Sequence, residues 1–164
     1  MGAAGAPDLG TFVDPNLPSG YAPFNVQNLG GTLYVTYAVQ GPGKDEAHGA
    51  GLGLVDSFDL NGNFLSRVAT AGSLDAPWGL AIAQSSFGAL AGALLVGNFG
   101  DGKISAFNAT SHAYLGQIQD GSGNPLSIDG LWAVALGNGG SGGSSAMLDF
   151  TAGPMTNPTA CPES

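Results

Sequence analysis

Charge is scarce in this chain, and basic charge scarcer still. Only 9% of its 164 residues are Asp, Glu, Lys or Arg, against about 25% in an ordinary soluble domain. Three are basic (Lys44, Arg67 and Lys103) and twelve are acidic, for a formal net charge of −9. Affinity for nucleic acid rests on Lys and Arg neutralising phosphates. Three scattered cations therefore argue against nucleic acid and anionic membrane surfaces as partners. Cysteine is nearly absent: Cys161 stands alone near the C-terminus, which excludes an internal disulfide and a cysteine metal cluster. No apolar run approaches the ~20 residues of a membrane span. Residues 1–14 carry neither a basic n-region nor an apolar h-region, so no signal peptide is legible there.

Glycine is what the chain has in excess, with 29 glycines and ten prolines alongside 43% hydrophobic residues. That combination supports a packed core but interrupts helices. It favours many short strands and tight turns. The turns come at a regular beat. Phe24, Trp78 and Trp132 are spaced 54 residues apart, within the phrases Ala22-Pro23-Phe24-Asn25-Val26, Ala76-Pro77-Trp78-Gly79-Leu80 and Gly130-Leu131-Trp132-Ala133-Val134. A fixed period of this length marks a repeat architecture, in which each unit buries its apolar face against its neighbours.

Within the first unit, β-rich runs near Phe24–Gln27, Leu33–Tyr37, Leu54–Phe58 and Phe64–Val68 are separated by turns, including the hairpin signal Asn61-Gly62. The second unit repeats the order with Trp78–Ala83, Leu94–Asn98, Ile104–Phe107 and Tyr114–Ile118, and with Asp101-Gly102 as its hairpin signal. Phe58 and Phe107 hold the same place in their units. The third unit contributes Trp132–Leu136 and Met147–Thr151. Four short strands per unit at this period predict an all-β partial β-propeller of about two and a half four-stranded blades. Residues 1–20 read as an extended lead-in. Residues 21–153 read as blades near 22–75 and 76–128 with an incomplete one over 129–153, and residues 154–164 as a disordered tail. An open ten-stranded β-sandwich is the rival architecture.

Several longer phrases carry a resemblance. They are Asp14-Pro15-Asn16-Leu17-Pro18-Ser19-Gly20-Tyr21, Leu95-Val96-Gly97-Asn98-Phe99-Gly100-Asp101-Gly102, Ile128-Asp129-Gly130-Leu131-Trp132 and Phe150-Thr151-Ala152-Gly153-Pro154. Together they resemble an uncharacterised bacterial family of secreted β-propellers associated with PEP-CTERM/exosortase sorting. More distantly the units resemble NHL repeats and gluconolactonase-type propellers. The resemblance implies an extracellular or periplasmic protein of about twice this length, of which this chain is a fragment. It implies a non-catalytic binding or scaffold module. The alternative it implies is half of a metal-dependent lactonase or esterase. In either case the partners would be missing blades or other protein chains, and the isolated chain would be oligomeric or aggregation-prone.

Few residues point to chemistry. Asn98 and Asp101 flank a turn and offer oxygens suited to a hard cation such as calcium; the same residues serve an ordinary hairpin. Asp129 precedes an innermost strand and Asn25 opens the equivalent strand of the first unit, so both are candidate metal ligands on a ring axis. Asp129 equally reads as a turn cap. Asp45, Glu46 and His48 share a polar loop, and Asn108-Ala109-Thr110 fits a glycosylation sequon. No Gly-x-Ser-x-Gly elbow, His-Glu-x-x-His or phosphate-binding glycine loop occurs. Phe24, Trp78, Trp132, Phe58 and Phe107 read as packing positions of the repeat, with Trp78 expected to lie buried between two sheets.

Overall fold

Glycine and Asx turns cut the described residues into ten strands. The computed structural model describes residues 11–43 and 45–153. Its strands are β1 (Tyr21–Leu29), β2 (Thr32–Val39), β3 (Gly53–Phe58), β4 (Phe64–Thr70), β5 (Pro77–Ile82), β6 (Ala93–Asn98), β7 (Ile104–Asn108), β8 (Tyr114–Gln117), β9 (Leu131–Leu136) and β10 (Leu148–Ala152). They form three antiparallel sheets in sequence order: β1 to β4, β5 to β8, and β9 with β10. The one helical element among the described residues is a kinked 3-10 stretch, Ser85–Leu90, in the β5–β6 connection. No described helix is long and apolar enough to cross a membrane.

The two hairpin signals fold as their chemistry dictates. Gly62 and Gly102 take φ of +83° and +68°, a region that L side chains rarely enter. Ahead of Gly62, Asp59 accepts hydrogen bonds from the backbone N–H groups of Asn61 and Asn63 at 2.8 and 2.9 Å.

The sheets pack on one another in sequence order, and period-2 alternation decides which side chain goes where. On β5, Leu80 enters the first core with Tyr34, Val55, Val68 and Ala69 of the first sheet. Its neighbour Ala81 enters the second core with Ala93, Leu95, Ile104 and Val134. The middle sheet is thus covered on both faces, which is why β6 is buried at every residue. The leading strands β1, β5 and β9 lie side by side.

A third core sits on the far face of the first sheet, with Val35, Tyr37, Leu54 and Phe58 packed by Leu17 and Phe64. The segment read from the sequence as an extended lead-in, residues 1–20, supplies part of this packing. Residues 1–10 lie outside the described part, but from Phe12 onward the segment is docked. The Phe12 ring stands 5.9 Å from that of Phe58, and its N–H donates to Gly62 O at 3.2 Å. Asp14 pairs with Arg67. Phe58 and Phe107 are both buried. The tail over 154–164, with Cys161, lies outside the described residues.

Candidate functional site

Each leading strand carries a β-bulge at the same repeat position. The β1–β2 register shifts between Pro23 and Asn25, and the β5–β6 register between Pro77 and Gly79. The β9–β10 ladder shifts between Phe150 and Ala152, opposite Trp132 and Ala133. The bulged residues are Phe24, Trp78 and Trp132. A bulge re-aims a side chain out of the ladder, and here it brings the three rings together. Phe24 meets Trp78 edge-on at 4.6 Å and Trp78 meets Trp132 edge-on at 5.1 Å between centroids. Phe99 joins them 4.5 Å from Trp132, and His48 lies 5.6 Å from Phe99.

Trp78 thus touches the rings of both neighbouring sheets through Phe24 and Trp132. Trp78 is half-buried and Trp132 is 38% exposed, because a bulge residue leaves the sheet interior. Edge-to-face pairs contribute about 0.5–1.5 kcal/mol each beyond their burial. Trp78→Ala is therefore expected to cost about 2 kcal/mol in urea denaturation, less than the ~3–5 kcal/mol of a fully enclosed aromatic. A change below about 0.5 kcal/mol would mean that the rings do not stack on one another.

At the other end of β1, β5 and β9 the strands frame an open cleft of about 460 Å³. Leu29, Leu80, Ile82 and Leu136 give it apolar walls, and Gln27 and Gln84 bring side-chain amides. Gln84 Nε2 donates to Gly137 O at 3.4 Å, which ties the second sheet to the third at the rim. The residues around the cleft include no titratable side chain. Such a lining can hold a ligand by apolar contact and by amide hydrogen bonds; it has no group placed to transfer a proton.

Three of the four candidate metal ligands make hydrogen bonds or ion pairs within the fold. Asn25 Nδ2 donates to Trp78 O at 2.8 Å, fastening the first sheet to the second. Asn98 is fully buried; its Nδ2 donates to Ser73 O at 2.7 Å and to Asp101 Oδ1 at 2.9 Å. Its Oδ1 is buried without a hydrogen-bond partner. Asp101 Oδ2 pairs with Lys103 Nζ at 3.1 Å. Asp129 is exposed. In the polar loop, Asp45 is exposed and His48 Nε2 lies 3.2 Å from Glu46 Oε1. Among the described residues no three His, Cys, Asp or Glu side chains gather as metal ligands. Calcium asks for six to eight oxygens; of the four candidates, Asn98 and Asp101 stand together, with Asn98 Nδ2 donating to Asp101 Oδ1.

One residue of the repeat escaped sequence reasoning. Asp75 stands three residues before Trp78, as Asp129 does before Trp132, and that shared offset was the available signal. Asp75 is buried and its Oδ1 accepts from the Gly49 N–H at 2.7 Å. Gly100 packs so tightly against its carboxylate that a Cβ there would fall 2.1 Å from Oδ1. Asp75 therefore locks two loops to the start of β5, which is a structural role.

No family model matches the chain. Three uncharacterised proteins of Acanthamoeba polyphaga mimivirus are similar to it. One is 40% identical over 128 residues, covering 77% of this chain and 32% of the relative. The others are 37% identical over 127 residues and 36% identical over 123 residues, covering 33% and 23% of their own lengths. The chain thus spans about a third or less of these relatives. A crystal structure of a protein of unknown function from Bacteroides caccae aligns with a TM-score of 0.43 and 14% identity, over 76% of this chain and 38% of that one. The viral relatives correct the resemblance to a bacterial PEP-CTERM-associated family, and the extracellular or periplasmic location that followed from it loses its support.

Proposed function

We propose that the chain is a non-catalytic binding or scaffold module whose three sheets are successive blades of a β-propeller. Three features support the blade reading: the 54-residue period, a bulge at the same place in each sheet, and leading strands that lie side by side. The observation that carries the binding reading is the cleft on those strands, with apolar walls and the amides of Gln27 and Gln84. Its volume is that of a small-molecule site. The chemistry selects a neutral ligand with an apolar body and a carbonyl, amide or hydroxyl group. The high negative charge of the chain disfavours anionic ligands.

Chemical-shift mapping tests this reading. ¹⁵N-labelled protein is titrated with a panel of small neutral amides and alcohols at millimolar concentration. The expected perturbations centre on the side-chain amides of Gln27 and Gln84 and on the backbone of Leu136. Perturbations confined to other surfaces, or turnover of ester and lactone substrates by the purified chain, would overturn it.

A further inference from the structure

The segment from Phe12 to Leu17 is tied to the first sheet by few groups. Its backbone makes one described hydrogen bond to that sheet, from the Phe12 N–H to Gly62 O in the β3–β4 hairpin. Apolar contact adds to this. The Phe12 ring lies against Phe58, and Leu17 packs on the core of Val35, Tyr37, Leu54 and Phe58. The remaining tie is charged: Asp14 Oδ2 accepts from Arg67 Nη2. The other Asp14 oxygen accepts from the Asn16 N–H at 2.8 Å, within the segment itself.

Asp14 does not have Arg67 to itself. Arg67 Nε donates to Asp56 Oδ1, and both carboxylate side chains are fully buried. Among the described residues, the titratable and charged groups facing Asp56 are Asp14, Tyr37 on β2 and Arg67 on β4. With Asp56 ionised, this cluster holds one negative charge in excess, and Asp56 Oδ2 is buried without a partner. With Asp56 protonated, Arg67 and Asp14 balance. Charges repel more strongly in a buried site than in water. Asp56 is fixed in the ladder between β2 and β4, whereas Asp14 rides on a segment with a single backbone tie. The carboxylate that can move away is therefore Asp14.

We propose that residues 12–17 form a pH-sensitive strap, closed on the first sheet while Asp56 is protonated and opening more often once Asp56 is ionised. Opening hydrates Asp56 and takes the Asp14 charge away from it, so the open state holds the Asp56 proton less tightly than the closed one. The closed state then binds more protons, and closure is favoured as pH falls. Burial, opposed by Arg67, pushes the Asp56 carboxyl from 3.8 up to about 6, which sets the range of the change. The Tyr37 phenol is pushed up, chiefly by burial, and stays protonated throughout. Phe12 and Leu17 keep their apolar contacts at every pH, so the charge alters how often the strap opens and does not hold it open.

Amide hydrogen exchange on the full chain at pH 5.0 and pH 7.5, expressed as protection factors, tests the proposal, because protection reports local opening. The Phe12 N–H is expected to be far less protected than the Leu95 N–H in β6, which marks an opening of the strap alone. For a carboxyl near 6 when closed and near 3.8 when open, linkage predicts that Phe12 protection falls about tenfold from pH 5.0 to pH 7.5. Asp56→Asn should abolish that fall. Asp14→Asn should lower Phe12 protection at pH 5.0, where the Arg67 pair holds the strap. Phe12 protection that does not change with pH in the parent overturns the proposal, with no variant needed. So does Phe12 protection equal to that of Leu95, a fall that persists in Asp56→Asn, or an Asp14→Asn strap as protected as the parent's.

Discussion

Replacing Arg67 by alanine is expected to cost about 3–5 kcal/mol, the range for removing one partner from a buried ion pair. The side chains of Asp14 and Asp56 are fully buried, and Arg67 serves both: Nε donates to Asp56 Oδ1 and Nη2 to Asp14 Oδ2. One guanidinium cannot neutralise two carboxylates. Asp56 Oδ2 is left without a hydrogen-bond partner, and burial pushes the Asp56 carboxyl up from its ordinary 3.8 to about 6, against the lowering effect of Arg67. Burial, with the Asp56 charge second, also raises the Tyr37 phenol. The penalty of Arg67→Ala should shrink as pH falls and the stranded Asp56 carboxylate takes up a proton. Urea denaturation at pH 7.5 and pH 4.5 measures both quantities. A loss below about 1 kcal/mol at pH 7.5 would show that the cluster is solvated rather than buried.

The sign of the Asp56 effect follows from linkage. Between about pH 4 and pH 6 the unfolded chain has lost this proton while the folded chain still holds it. The unfolded state then binds fewer protons, so this group's contribution to stability falls as pH rises through the window and levels off above about pH 6. Asp59 and Asp120 act in the opposite sense. Hydrogen bonds from the Asn63 side chain and from the Asn124 backbone N–H, respectively, hold their carboxyls below the usual range. The readout is therefore the difference between the parent and Asp56→Asn. That difference should change in favour of the parent on going from pH 7.5 to pH 4.5, and a pH-independent difference would remove Asp56 as a titrating group.

Gly79→Val is expected to destabilise the protein by about 3 kcal/mol, at the upper end of overpacking costs, and to loosen β9 and β10 from the second sheet. Strand propensity argues the other way, since valine is favoured over glycine on a pleated surface by up to about 1 kcal/mol. Packing decides the sign. A Cβ on Gly79 would lie 2.8 Å from Trp132 O and 2.9 Å from Val134 N. Both are backbone atoms of β9, which cannot yield as a side-chain tip can. The equivalent position on β1 is Asn25, whose side chain reaches Trp78 O, so β1 and β5 leave room for a side chain that β5 and β9 do not. Urea denaturation gives the loss, and amide exchange of Val134 and Leu136 reports the release of β9. A variant as stable as the parent, with β9 still protected, would show that the third sheet does not approach β5 through its backbone.

The resemblance to a bacterial PEP-CTERM-associated family is the part of the sequence reading that the comparisons overturn. The phrases that carried it, such as Ala76-Pro77-Trp78-Gly79 and Asn98-Phe99-Gly100-Asp101-Gly102, sit at bulges, tight turns and close backbone approaches. The similar curated proteins are viral.

The sequence by itself determined the all-β class, the four-strand order of the first two sheets, the hairpins at Gly62 and Gly102, and the recurrence of Phe24, Trp78 and Trp132. These follow from local causes: turn chemistry, alternation along a strand, and a period. Only the tertiary structure decided where those rings point, because a bulge depends on the register of the partner strand. It decided that Phe12 and Asp14 dock on the first sheet, because Arg67 lies 53 residues from Asp14. It separated Leu80 from Val26 in exposure, though the repeat gives them one position, because burial belongs to the neighbouring sheet and not to the residue. It also set the partners of Asn25, Asn98 and Asp101, which are Trp78 O, Ser73 O and Lys103. Amides and carboxylates bond whatever the fold brings within reach, and no spacing along a chain of short strands specifies what that will be.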